Sequence, residues 1–178
     1  MANLLFSPSG RIGPSAFLKG MGIVAAIGAV LTLAPLISYK LGTMLGLVSI
    51  VLLFPLFCLV IKRLHDSGKS GWLSILFVIL IGIVAVVLQS IAGSMFGGSA
   101  MADMQAATEE LATSGAGLGE IMAATAELTE EYGPAIAKAT AIPSAIAGFV
   151  GTMAGAFLVN LILKQDQTEN QYGQPPLA

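Results

Sequence analysis

Apolar positions run through this chain in four long blocks, separated by two short polar links and one long acidic one. The blocks are Gly20 to Ser38, Leu41 to Ile61, Trp72 to about Phe96, and about Ala139 to Leu163, and none holds a charged side chain. Each is about as long as the ~20 apolar residues that a helix needs to cross a bilayer. In lipid, each backbone amide must find its partner within its own segment, so the pattern predicts four membrane helices. The first follows Arg11 and Lys19 in the manner of a signal peptide. It exceeds the usual length of a cleaved core and is expected to be a retained helix.

The long link, residues 97–138, has a different rhythm. Met101, Met104, Ala107 and Leu111 recur at spacings of three and four. So do Leu118, Ile121, Met122, Thr125 and Leu128, with "SGAG" (Ser114 to Gly117) between the two sets. This predicts two short amphipathic helices, the alternative being a solvated Ala-rich spacer.

Composition agrees with a bilayer as the solvent. The chain of 178 residues is 56% hydrophobic and 10% charged, with a mean hydropathy of +0.87. A soluble domain carries about 25% charged residues. The net charge of −2 leaves no basic surface for nucleic acid. The lone Cys58, inside an apolar block, forms no internal disulfide and lacks the companions of a zinc site. No cofactor is expected.

Charge position sets the expected orientation. Arg11, Lys19, Lys62, Arg63, Lys69 and Lys164 fall on one side of the blocks, and Lys40 and Lys138 on the other. By the bias of basic residues, both termini, the 62–71 loop and the tail 164–178 are cytoplasmic. The insert 97–138 carries Asp103, Glu109, Glu110, Glu120, Glu127, Glu130 and Glu131 and is expected to be extracytoplasmic. Its carboxylates match no calcium-loop spacing. The whole chain, 1–178, reads as a single all-α membrane domain.

Small residues provide close helix contact in lipid. Ala147, Gly151 and Gly155 form such a stripe in the fourth block, and Gly42 and Gly46 in the second. The contacts they predict lie within the chain or between copies. Pro35, Pro55 and Pro143 are expected to kink or start helices. Gln89 and Asn160, the polar side chains deepest in blocks three and four, are expected to bond between helices. No block contains Asp, Glu, His, Lys or Arg and no inverted repeat is visible, which argues against a coupled transporter acting alone.

The densest candidate chemistry is "KRLHDSGKSGW", residues 62 to 72. A phosphate loop requires glycine five positions before Gly68, where Arg63 stands. His65 and Asp66 form a possible acid–base pair without a third member, and metal binding would draw on a distant group such as Asp166. The structural reading has Lys62 and Arg63 complementing the helix end and anionic head groups, Ser67 to Gly71 turning, and Trp72 anchoring at the interface.

That stretch, followed by an apolar block, closely resembles the hallmark of a family of small bacterial inner-membrane proteins catalogued as domain of unknown function 805. "FSPSGRIGPSAF" (Phe6 to Phe17) resembles its N-terminal pattern F-x-G-R-I-x-R-x-x-F/Y-W, and "NQYGQPP" (Asn170 to Pro176) its ending N-x-Y-G-x-D-P. Pro14, Leu18 and Pro175 depart from these patterns, so an arginine–aspartate contact between those positions is absent. The family's link between the third and fourth helices is usually shorter, which marks 97–138 as an insertion. The family has no established activity, so the resemblance implies location and architecture alone. The expected topology places the three matching patches on one cytoplasmic face, where Arg11, Lys62, Arg63, His65, Asp66, Lys69, Asn170 and Tyr172 are expected to cluster, with Asp66 paired to Arg11 or Arg63. The leading expectation is a non-enzymatic structural or interaction role, with the bilayer and a membrane-protein partner or second copy as partners. The alternatives are a channel or transporter component for a small solute or lipid, and a membrane enzyme using His65 and Asp66.

Overall fold

The computed structural model describes residues 2–176. Met1, Leu177 and Ala178, at the ends of the expected domain and tail, lie outside the described residues. Among the described residues seven α-helices follow one another: α1 (Ala2–Phe6), α2 (Pro14–Thr32), α3 (Tyr39–Val48), α4 (Leu53–Asp66), α5 (Ser74–Phe96), α6 (Gly98–Thr113) and α7 (Leu118–Ile162). Four segments are long and apolar enough to cross a bilayer: Pro14–Leu36, Tyr39–Asp66, Gly71–Phe96 and Leu118–Ile162. No strand occurs among the described residues, only an isolated bridge between Asn170 and Gly173.

Local chemistry sets the helix ends. Pro14 opens α2, where a missing N–H costs nothing because the first turn has no acceptor for it. Pro35 lies in the 3₁₀ turn Ala34–Leu36 that closes the first segment. The second segment is interrupted. A 3₁₀ stretch, Ser49–Leu52, separates α3 from α4, and Pro55 sits in the first turn of α4. Pro55 has no N–H to offer the Val51 carbonyl, so α4 starts here as expected. Pro143 starts no helix. α7 continues through both Pro134 and Pro143.

α7 is the main correction to the expected architecture. The second insert helix and the fourth block are one helix of 45 residues, ~67 Å long. That is more than twice the ~30 Å hydrocarbon thickness. Its first turn is held by the Glu120 carboxylate, which accepts the Gly117 N–H at 3.2 Å. α6 folds back along it. On α6 the partly covered positions are the expected Met101, Met104, Ala107 and Leu111, with Ala100 besides. On α7 they are Ile121, Ala124 and Leu128, whereas Leu118, Met122 and Thr125 stay exposed. The sequence pattern was satisfied by two registers, and the packing chose the one facing α6.

The core lies at one end of the helices. Phe17 and Met21 of α2, Leu59, Val60 and Leu64 of α4, Ile81 of α5, Ala156 and Val159 of α7 and the following Leu163 are fully or almost fully buried together. α5 packs along α7, and α2 along α7. Side chains added at Gly151 and Gly155 would meet Ala85 Cα at 2.6 Å and Ile81 Cα at 2.8 Å. At Gly151 and Gly155 the small-residue stripe is therefore a contact within the chain, whereas Ala147 borders an apolar pocket with Leu88. Gly42 also serves the fold, since a side chain there would strike Pro35 Cγ at 2.5 Å. Gly46 has nothing within 4 Å of an added Cβ and makes no such contact.

Candidate functional site

Residues 62–66 belong to the last turn of α4 rather than to a loop. The turn proper is Ser67 to Ser70. Gly68, at φ +67°, takes the left-handed position that ends a helix. Its N–H bonds the His65 carbonyl at 3.1 Å, and the Lys69 N–H bonds the Leu64 carbonyl at 2.9 Å. The glycine in "DSGK" thus closes a helix C-terminus and cradles no phosphate.

Asp66 is the centre of the site. Its side chain is fully buried, and each oxygen meets a different guanidinium. Arg63 Nη1 approaches Oδ2 at 2.6 Å from one turn earlier on α4. Arg11 Nη2 approaches Oδ1 at 3.2 Å from the segment before α2. Both alternatives for the Asp66 partner are realised at once. Neither guanidinium side chain is more than 1% exposed. Such a buried triad is tolerable only if the remaining donors are also satisfied, and they are. Arg63 Nε bonds Asn160 Oδ1 at 2.7 Å, and its Nη2 bonds the Leu163 carbonyl. Arg11 Nη1 bonds the carbonyls of Thr168 (2.8 Å) and Gly173 (2.9 Å), and its Nη2 bonds that of Asp166. No buried side-chain polar atom lacks a partner among the described residues.

The tail after α7 is built to close on this pair. The Asp166 N–H bonds the Asp66 carbonyl at 2.8 Å, satisfying a helix-end acceptor. The Asp166 carboxylate accepts the Thr168 N–H (3.0 Å), the Thr168 hydroxyl (2.8 Å) and the Asn170 amide (3.1 Å). These bonds, the Thr168 backbone first, hold its carboxyl below the usual carboxylate range. The Asn170 amide also reaches the His65 carbonyl at 3.1 Å. A tight reversal follows, in which Asn170 and Gly173 exchange backbone bonds of 3.2 and 2.9 Å. Gly173, at φ +114°, holds a conformation that other residues rarely adopt. The reversal lays the Tyr172 ring on His65, with centroids 3.8 Å apart and planes 7° from parallel. His65 Nδ1 lies 3.2 Å from the Gly10 carbonyl on the N-terminal segment.

Arg11, Arg63, His65, Asp66, Asn170 and Tyr172 are therefore brought together as expected. Lys62 joins from the side and at 2% exposure is turned inward. Its Nζ bonds the carbonyls of Asn3 (2.8 Å) and Leu4, holding the C-terminus of α1. Burial of Lys62 and Arg63 turns both away from any head group. Lys69 is exposed and outside the cluster, and Trp72 is 83% exposed at the start of the third segment. Asn160 makes the expected bond between helices, adding one from its amide to the Pro14 carbonyl at 3.2 Å. Gln89 does not: its side chain lies beside Gly148 and opens into a cavity. Asp166, expected only as a distant metal ligand, and Thr168 were not expected in this cluster. Their Asp-x-Thr spacing, typical of a side chain that bonds its own backbone two residues on, was the available signal.

A family model described as "Protein of unknown function (DUF805)" matches residues 5–174, a range that includes the acidic insert. No curated protein and no solved structure matches the chain.

Proposed function

We propose that this chain, which belongs to the DUF805 family, is a multi-pass protein of the bacterial inner membrane that acts through its cytoplasmic face as a structural or interaction component, without catalysis. The observation that supports it is how the motif's polar groups are used. A general acid or base must reach a substrate proton. Both Asp66 oxygens are instead taken by arginines, and one face of the His65 ring is covered by Tyr172. The cluster is a clasp: it joins the N-terminal segment, the end of α4 and the tail. In this reading four helices cross the bilayer as a bundle, with both termini inside and the α6–α7 hairpin outside, as the distribution of lysine and arginine favours. Lys19, Lys69, Lys164 and Trp72 remain exposed near the clasp end, free for anionic head groups or a membrane-protein partner. A conducting path would have to join Gln89 and Asn160, but Asn160 is tied to Arg63 and Pro14.

Copurification of the full chain from native membranes tests the proposal. Wild type and His65→Ala should retain the same partner, and Lys69→Glu should weaken that retention. A folded wild type that holds nothing above an unrelated membrane-protein control would refute the interaction role. An activity that disappears in a folded His65→Ala variant would favour the enzyme.

A further inference from the structure

The α6–α7 hairpin has two unlike sides. At ~100° per residue, Leu118, Met122, Thr125 and Thr129 fall within ~60° of arc on α7, and Glu120, Glu127 and Glu131 fall on the opposite side. α6 repeats the division, with Met101, Thr108 and Ala112 on one side and Asp103 and Glu110 on the other. Glu110, Glu127 and Glu131 line one groove between the two helices, so both acidic sides face the same way. The two uncharged sides therefore share the opposite face, and Glu109 and Glu130 stand at its outer edges. The threonines bring no unpaired hydroxyl to it. Thr125 bonds the Ile121 carbonyl at 2.7 Å, Thr129 that of Thr125 at 2.8 Å, and Thr108 that of Met104 at 2.7 Å.

This face lacks a cover. Leu118 is 77% exposed and Met122 67%. No residue from 98 to 138 is buried. Helices in water draw most of their stability from packing an amphipathic face, and the hairpin has the pattern without a core. Lipid covers only what lies within the bilayer, so the cover of a hairpin standing in water is protein. Three features select a second copy. The bilayer holds every copy at one height and in one sense, so identical faces meet in parallel register, the self-complementary contact of a two-fold dimer. Like charges brought together across an interface are costly, and none of the hairpin's seven carboxylates or its one lysine stands within this face. A foreign partner recognised by charge would settle on the acidic side instead. Nothing beneath obstructs a copy: farther along the same side of α7 stand Val150, Leu158 and Leu161, all exposed.

We propose that a second copy of this chain covers the uncharged face, two hairpins closing into a four-helix bundle outside the membrane about a two-fold axis along the bilayer normal. The proposal rests on the membrane reading above, which sets the hairpin in water.

The test is oxidative crosslinking of the full chain in phosphatidylethanolamine–phosphatidylglycerol vesicles, with Met122→Cys on the uncharged face and Glu127→Cys on the acidic one. Buried Cys58 takes no part. Met122→Cys should give a covalent dimer in at least several-fold higher yield than Glu127→Cys, whose thiols lie on the far sides of the paired helices and out of disulfide reach. Thr125→Glu places like charges in the middle of the contact, at a position exposed in the single chain. It should reduce the Met122→Cys yield several-fold and turn dimer into monomer in native mass spectrometry, with the thermal unfolding of the monomer unchanged. Equal yields at the two positions would overturn the proposal. So would a wild-type chain that stays monomeric in the vesicles, or a position-122 thiol that in native membranes crosslinks to another protein in place of its own copy. A position-122 thiol that, in the Thr125→Glu variant, resists a water-soluble maleimide supplied to both sides of the vesicle would show the hairpin to lie in lipid, and would overturn the membrane reading together with the dimer.

Discussion

Asp66 holds two guanidiniums out of water, and its removal strands both. Loss of one partner of a buried ion pair costs about 3–5 kcal/mol. Asp66→Ala should therefore lower the midpoint of thermal unfolding in detergent more than Arg11→Ala, whose absence leaves the Arg63–Asp66 pair intact. Equal effects would mean that Arg63 draws nothing from Asp66. His65 contributes by stacking, and aromatic pairs add about 0.5–1.5 kcal/mol beyond area. His65→Phe should be close to wild type in the same measurement, and His65→Ala less stable by about 1 kcal/mol. Asp166 makes the tail sensitive to acid. A carboxyl held below its ordinary value stabilises fully above that value, ~3.9, and loses the contribution as pH falls through its lowered one. A spin label at exposed position 171 should gain mobility below that pH, and Asp166→Asn should be mobile at neutral pH as well. At this scale the sequence made residue types legible but not partners. A bond from Asp66 to Arg11 or Arg63 was expected only because the matching patches were expected to meet on one face. Lys62 meeting Asn3, or Arg11 meeting Gly173, joins positions whose distance only the tertiary fold sets.

Among the elements, α5 and α7 form the closest pair, because Gly151 and Gly155 admit the α5 backbone. Overpacking costs about 1–3 kcal/mol. Gly151→Ala should lower the unfolding midpoint by an amount that reflects this, whereas Gly46→Ala should not change it. The reverse order would place the tight contact on α3. The four apolar blocks were readable because lipid imposes one solution on a backbone, and the helix ends at Pro55 and Gly68 were readable from local chemistry; the start of α2 at Pro14, six residues before the first block, was not. The continuity of α7 was not. "SGAG" carries an obvious break, but nothing in the sequence distinguishes an exposed acidic helix that stops at residue 138 from one that runs on into an apolar block. Helix propensity is alike on both sides of that point, and α6, packed alongside, supports the exposed part.

The whole molecule has a tight end and a loose end. Core and clasp share residues 11–25, 58–66 and 151–173, while the half nearer the hairpin holds the cavity and the interrupted second segment. With the orientation proposed, cysteine at position 120 should react with an impermeant thiol reagent from outside and cysteine at position 67 from inside, buried Cys58 staying silent. Labelling in the opposite sense would invert the topology and leave the clasp untouched. The central claim is that three patches, far apart in sequence, close into one clasp. Hydrogen exchange of the intact wild-type chain reads this directly at the amides of Asp166 and Gly173, which the structure bonds to Asp66 and Asn170. Both should be protected to an extent comparable with the end of α4, and both should lose that protection in Asp66→Ala. Exchange of these amides at the rate of an unstructured peptide in the wild-type chain would contradict the clasp.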